Sequence, residues 1–180
     1  MLLEQRQAVS AAEREAAAHS AAQLLTATAV FQQSQHIAVY YPMPTEFDSV
    51  PIIHAIWAAN KKCYLPVLQG EILQFAEYHS DTALQLNQYK IPEPLNSPIA
   101  SLTKLELVLV PLVGFDLQGN RLGMGAGYYD RTFAQKTPQC RLLGLAYALQ
   151  ECPQLSHDDW DVLLDGVVTE KSILFISRVD

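Results

Sequence analysis

Residues 108–131 read VLVPLVGFDLQGNRLGMGAGYYDR, and this stretch decides the fold. It continues LELVLVP (105–111), the most apolar run in the chain. An unbroken apolar run of this kind suits a strand covered on both faces, the usual state of a parallel strand. Gly119, Gly123, Gly125 and Gly127 follow it, and a helix is expected from 126 to about 134. A buried strand that turns through glycines into a helix is the repeating unit of an α/β fold.

Working outward, the alternation persists. Residues 141–147 read as the next strand, with short late strands at 166–169 and 173–176. Upstream, HIAVYY (36–41) is a β-branched and aromatic run that ends at Pro42 and Pro44. Thr45 is expected to cap a helix through residue 60, with Ile52, Ile53, Ile56 and Trp57 on its apolar face. Two further strands are expected at 62–68 and 72–77, and the three prolines of 86–98 predict irregular chain. Residues 4–31 contain neither Gly nor Pro and read as one long helix, interrupted near Ser10, where Glu13 completes a capping box. The expected fold is a three-layer α/β sandwich, a largely parallel sheet flanked by helices, in a single domain over 1–180.

Bulk properties narrow the function. A net charge of -7 argues against a general nucleic-acid binder and requires any anionic ligand to be drawn in by a local cluster of cations. No run is long and apolar enough to cross a bilayer, and no signal peptide is evident. Cys63, Cys140 and Cys152 are odd in number, far apart and without a CxxC pair, which reads as free thiols in a reducing cytoplasm. His19, His36, His54, His79 and His157 lack ligand spacing and read as structural or solvated. Trp57 and Trp160 read as core or rim residues.

The glycine-rich turn carries the chemistry. Glycines let the backbone approach a ligand closely, and free N–H groups at a helix start attract anions. Arg121 and Arg131 flank the turn as local positive charge, and Asp116 and Asp130 offer hard oxygen ligands for the magnesium that accompanies a nucleotide. The GxGxG spacing is neither GxGxxG nor GxxxxGK[ST], so spacing alone leaves a phosphate cradle and a tight structural turn both open.

The sequence GNRLGMGAGYYDR (119–131) resembles the signature of the 5-formyltetrahydrofolate cyclo-ligases, G-x-R-L-G-x-G-x-G-[YF]-Y-D-[KR], with every fixed position present. YYPMPTEFDS (40–49), CYLPVL (63–68), YKIPEP (89–94) and HDDWDVLLDGVVTE (157–170) resemble family elements in the same order. The resemblance implies an ATP-dependent ligase that closes 5-formyltetrahydrofolate to its 5,10-methenyl form, with ATP and Mg2+ required. It implies that Arg121, Leu122, Gly123, Met124, Gly125, Ala126, Gly127, Tyr128 and Tyr129 wrap the ATP phosphates, joined by Arg6. Arg121 and Tyr129 would be catalytic. Tyr41, Glu46, Tyr89 and Tyr128 would contact the folate, and Asp130 with Asp161 would hold the metal. A carboxylate at Glu46 suits a pterin, which presents an N–H and an amino group side by side. Without the resemblance, Glu46 near a helix start reads as a partner of the helix dipole, and Asp161 as a surface acid among Asp158 and Asp159. The partners expected are small molecules, with neither nucleic acid nor membrane, and the chain is expected to act as a monomer. Two other readings remain: a folate- or nucleotide-binding protein without turnover, and a relative of sugar-phosphate isomerases or CoA-transferases. The latter needs a carboxylate base, for which Asp116 is the nearby candidate.

Overall fold

The apolar run resolves into a strand at Leu107–Pro111 lying near the middle of an eight-stranded sheet. The computed structural model describes residues 2–177. In chain order the elements are α1 (Leu2–Ala8), α2 (Ala11–Thr26), α3 (Ala29–Gln33), β1 (His36–Ala38), α4 (Val50–Ala58), β2 (Lys62–Gln69) and β3 (Ile72–Glu77). There follow β4 (Leu84–Leu86), β5 (Pro92–Pro94), β6 (Ile99–Ala100), β7 (Leu107–Pro111), β8 (Gly114–Phe115) and β9 (Arg121–Leu122). The chain closes with α5 (Tyr128–Phe133), β10 (Arg141–Leu145), β11 (Gly166–Val168) and β12 (Ile173–Phe175).

The sheet order is β12-β11-β10-β7-β1-β2-β3-β6. The five strands from β11 to β2 are mutually parallel, and β12, β3 and β6 add antiparallel edges. Side chains alternate faces with period two along each strand. Ile37, Leu107, Leu109, Leu143, Leu145 and Val168 therefore meet α2 and α4 on one face, in a cluster with Leu25, Ile52 and Ile56. Ala38, Val108, Val110, Leu142 and Val167 face the other way, toward Phe75 and Phe133. Both faces of the parallel core are buried, as its uniformly apolar sequence requires.

The N-terminal expectation holds in outline. Ser10 caps α2: its hydroxyl accepts from the Glu13 amide, and the Glu13 carboxylate accepts from the Ser10 amide. Ala17, Ala18, Ala21 and Ala22 then form a smooth buried stripe against α4. The helical region breaks a second time at Thr28, whose hydroxyl caps α3. Three expectations are corrected. The helix expected from Thr45 begins at Val50, because residues 43–46 close their own hydrogen-bonded turn and Pro51 suits a first helical turn. Strand β1 ends at Ala38, and its backbone peels away before Tyr41. Residues 86–98 are not irregular throughout, since β4 and β5 pair as a small antiparallel hairpin braced by buried Glu93, which accepts from Leu68 N and Asn87 Nδ2.

Asp116 fixes the β8–β9 hairpin. It is 0% exposed, and its Oδ1 accepts from the amides of Gln118 (3.0 Å) and Asn120 (2.9 Å). Its Oδ2 accepts from Asn120 Nδ2 (2.8 Å) and Leu155 N (3.0 Å). Burial pushes the carboxyl upward, but these four donors outweigh it and hold Asp116 below the ordinary aspartate value. A depressed native value adds stability above the unfolded pKa, and that stability is lost as pH falls through the folded value. Asp116→Asn places an amide N–H against these donors, and an unfolding midpoint at neutral pH is expected to show a loss of about 2–3 kcal/mol, shrinking toward acid pH.

Candidate active site

Strand order reverses between β1 and β7. The chain leaving β1 passes through residues 39–49 to α4 on one face, and the chain leaving β7 passes through 112–127 to α5 on the other. The two connections part at the carboxyl ends of adjacent strands, and this is where open α/β sheets form a binding crevice.

On the β7 side, residues 123–127 carry the exposed glycine loop. Gly125 (φ 86°) and Gly127 (φ 66°) sit in left-handed conformations that only glycine adopts without strain. Among the described residues, no backbone acceptor pairs with the amides of 123–127. A Cβ built at Gly123 or Gly125 meets nothing within 4 Å, so open space lies over the loop. Helix α5 is only 6 residues long, so the free donors at this position are the loop amides rather than the end of a long helix.

The two flanking arginines are already employed. Arg131 donates to the carbonyls of Glu71 and Ala126 (both 2.7 Å) and lies over the Tyr128 ring, so it fastens the loop to the protein instead of facing a ligand. Arg121 pairs with Asp130 (2.5 Å) and also donates to the Val162 carbonyl. Asp130 Oδ1 accepts from the Val162 amide (3.0 Å) as well. One ion pair thus holds both polar groups of a single peptide residue and clasps segment 158–163 to the glycine loop. Asp161 arrives on that segment, with its Oδ2 accepting from Asp158 N (2.9 Å).

On the β1 side, the Glu46 carboxylate accepts from Met43 N (2.9 Å), closing turn 43–46. Its partner is therefore the turn and not the dipole of α4, which starts four residues later, and only Oε2 is engaged there. Burial raises the Glu46 carboxyl above its ordinary value, opposed by the Met43 hydrogen bond and by Arg6. Tyr129 is pushed well above the ordinary tyrosine value, first by burial and then by Glu46, with Arg121 opposing. Buried Tyr40 shifts upward for the same first two reasons, and its hydroxyl donates to Phe47 O (2.8 Å). Glu46 and Tyr129, from opposite sides of the strand reversal, thus stand within electrostatic reach, with Arg121 beside Tyr129. At neutral pH Tyr129 carries its proton and is a hydrogen-bond donor, not a base.

Other expected residues lie elsewhere. Tyr89 reaches the loop through Tyr128, with their hydroxyls 3.2 Å apart and the rings edge to face. Tyr41 packs against the α2/α4 cluster, with its phenol in reach of Tyr78 rather than joined to Glu46. Arg6, expected at the phosphates, is only 3% exposed and donates to Leu112 O (3.0 Å) and Thr45 Oγ1 (3.4 Å), so it is not open to a phosphate. Asp116 has both oxygens engaged and is available neither as a metal ligand nor as a base. Cys63 and Cys140 are buried, with burial pushing their thiols up to about 12 and about 11, and all three cysteines are free.

The family model of the 5-formyltetrahydrofolate cyclo-ligases matches residues 1–170. The chain belongs to that family. Among relatives named 5-formyltetrahydrofolate cyclo-ligase, the Haemophilus influenzae protein is 38% identical over 143 residues, covering 76% of each chain. The Escherichia coli protein is 32% identical over 180 residues, covering 96% of this chain and 98% of its own. The fold superposes on the NMR structure of the Aquifex aeolicus 5,10-methenyltetrahydrofolate synthetase with a TM-score of 0.86 at 29% identity, covering 99% of this chain and 91% of the other. In this member of the cyclo-ligase family, sequence reasoning missed Tyr40, Val162 and the bracing role of Arg14, which donates to Pro44 O (2.9 Å) and Arg6 O (3.0 Å). Each acts through a backbone group, and for Val162 and the Arg14–Pro44 contact the partner is thirty or more residues away, so no local motif announces it. The clasp is directly testable. Asp130→Ala removes the acceptor of the Val162 amide, and hydrogen exchange at Val162 is expected to speed up about tenfold or more, the equivalent of about 1.4 kcal/mol.

Proposed function

We propose that this chain catalyses the ATP-dependent closure of 5-formyltetrahydrofolate to 5,10-methenyltetrahydrofolate, releasing ADP and phosphate. The observation that carries the assignment to this crevice is the loop of unpaired amides at 123–127, facing open space beside the Glu46–Tyr129 pair. Family membership supplies the reaction, and the glycine loop and Glu46 lie on the two connections that leave the strand reversal.

A formamide carbon is a poor electrophile and its oxygen a poor leaving group. In the proposed sequence the formyl oxygen takes the γ-phosphoryl group of ATP and ADP departs, leaving an iminium phosphate. The second folate nitrogen then bonds to that carbon, the C–O bond breaks to release phosphate, and the nitrogen gives up its proton. No protein nucleophile is needed, so the chain's share is alignment and charge neutralisation. The amides of 123–127 would cradle the triphosphate. Arg121 has five N–H donors and uses two on Asp130 and Val162, so others remain for the phosphoryl oxygens in flight. Tyr129, with its proton held firmly, would donate to a reacting oxygen. Glu46 would accept the paired N–H groups of the pterin, and Tyr89 and Tyr128 would flank its ring.

Magnesium fits what the residues leave free. Asp130 engages only Oδ1 and Asp161 only Oδ2 among the described residues, so each keeps one oxygen for an ion. No group of three or more metal-ligating side chains occurs there, and magnesium bound with a nucleotide asks for only one or two carboxylates besides phosphate and water. When bound, it would neutralise charge across the phosphate oxygens. The reading extends to a monomer in the cytoplasm, where the three thiols stay reduced; among the described residues no helix is long and apolar enough to cross a membrane.

Adding ATP, magnesium and 5-formyltetrahydrofolate and following methenyltetrahydrofolate absorbance tests the function; absence of product overturns it. Arg121→Ala is expected to lower kcat about 100-fold, the scale of losing one charge-stabilising donor; near-intact turnover would remove Arg121 from the chemistry. Gly123→Ala should leave the unfolding midpoint unchanged, since its Cβ meets no protein atom, while raising the KM for ATP about tenfold. For Glu46, which must be ionised to accept two donors, kcat/KM for the folate should fall on the acid side at a pH above the ordinary glutamate value, and Glu46→Gln should abolish that limb.

A further inference from the structure

Arg6 is a buried cation with no carboxylate in ion-pair contact among the described residues, and its Nε has no acceptor. Burying a charge is costly unless something depends on it. Its guanidinium spans the strand reversal: one nitrogen donates to Leu112 O, where the chain leaves β7, and the other to Thr45 Oγ1 inside turn 43–46. Arg14 reinforces the arrangement by donating to Pro44 O on that turn and to the Arg6 carbonyl. Glu46 is the next residue after Thr45.

We propose that Arg6 is a positioning residue for folate binding, which pins the turn bearing Glu46 to the root of the glycine loop so that the two substrate sites keep one spacing. The inference rests on the reading of Glu46 as the folate contact. A planar fork that donates in two directions at once is suited to this task in a way that a lysine point charge is not. The charge serves as well as the geometry. The ionisable groups within electrostatic reach of Glu46 are Arg6 from α1, Tyr40 from the β1 connection and Tyr129 from α5, and of these only Arg6 favours the carboxylate. The same arginine therefore sets where the carboxylate sits and, with the Met43 hydrogen bond, opposes the burial that favours its neutral form.

The test compares Arg6→Gln, Arg6→Lys and Thr45→Val with the full-length wild-type chain, measuring KM for each substrate, the pH profile and the unfolding midpoint. In Arg6→Gln the KM for 5-formyltetrahydrofolate is expected to rise about tenfold and the acid limb of kcat/KM to move to higher pH, while the KM for ATP changes less than twofold. Arg6→Lys should bring the acid limb back toward wild type without restoring KM, because it returns the charge but not the fork. Thr45→Val removes one arm of the contact at the surface of the turn and should raise the folate KM severalfold with ATP unaffected. If Arg6→Gln does not fold, Arg6→Lys and Thr45→Val decide the matter. A rise in the KM for ATP alone, or unchanged folate KM in both of those variants, overturns the proposal. Wild-type affinity for 5-formyltetrahydrofolate in Glu46→Gln would instead overturn the reading of Glu46, independently of Arg6.

Discussion

Everything in the crevice depends on the reversal of strand order between β1 and β7. Five parallel strands buried on both faces can be connected only by segments that cross over one face or the other. Where successive crossovers choose opposite faces, the backbone must separate at the carboxyl end of the sheet, and the separation cannot be filled by either connection. Glu46 and Tyr129 come within electrostatic reach because the apolar strands beneath them are neighbours, although about eighty residues lie between the two in sequence.

The polar contacts around this opening divide into supports and donors. Arg131, Asp116 and Arg14 direct their hydrogen bonds into the protein backbone and hold loops in place. Among the described residues the loop amides have no such engagement. Arg121 and Asp130 belong to both groups: they clasp Val162, and each keeps hydrogen-bonding valence beyond that clasp. A ligand that drew on those remaining valences would act on the clasp and on segment 158–163 together.

Much of this was legible in the sequence, for physical reasons specific to each element. The run 105–111 could only be a doubly buried strand, and Ser10 with Glu13 could hardly be anything but a helix start. The glycine turn announced open backbone, and its tight match to a family signature supplied what spacing could not. Legibility failed where a side chain's partner is a distant peptide group. Arg121, Arg131 and Arg6 look alike as cations in a sequence, yet one meets a carboxylate, one meets two carbonyls and one is sealed between two loops. Thr45 and Ser49 are equally good caps by composition; the turn closed by Glu46 decided the helix start. Pro92 and Pro94 signalled irregularity, but a hairpin edge tolerates proline where its missing N–H is not needed.

The sheet's outer margins carry one more consequence. It ends in β6, two residues long, and β12, three residues long, each pairing antiparallel with its single neighbour. Unpaired strand margins invite other chains to add themselves on, and brevity is a common defence. Margins this short present few open peptide groups in register, so the sheet gives a second molecule little to zip onto, whether in a crowded cell or during refolding.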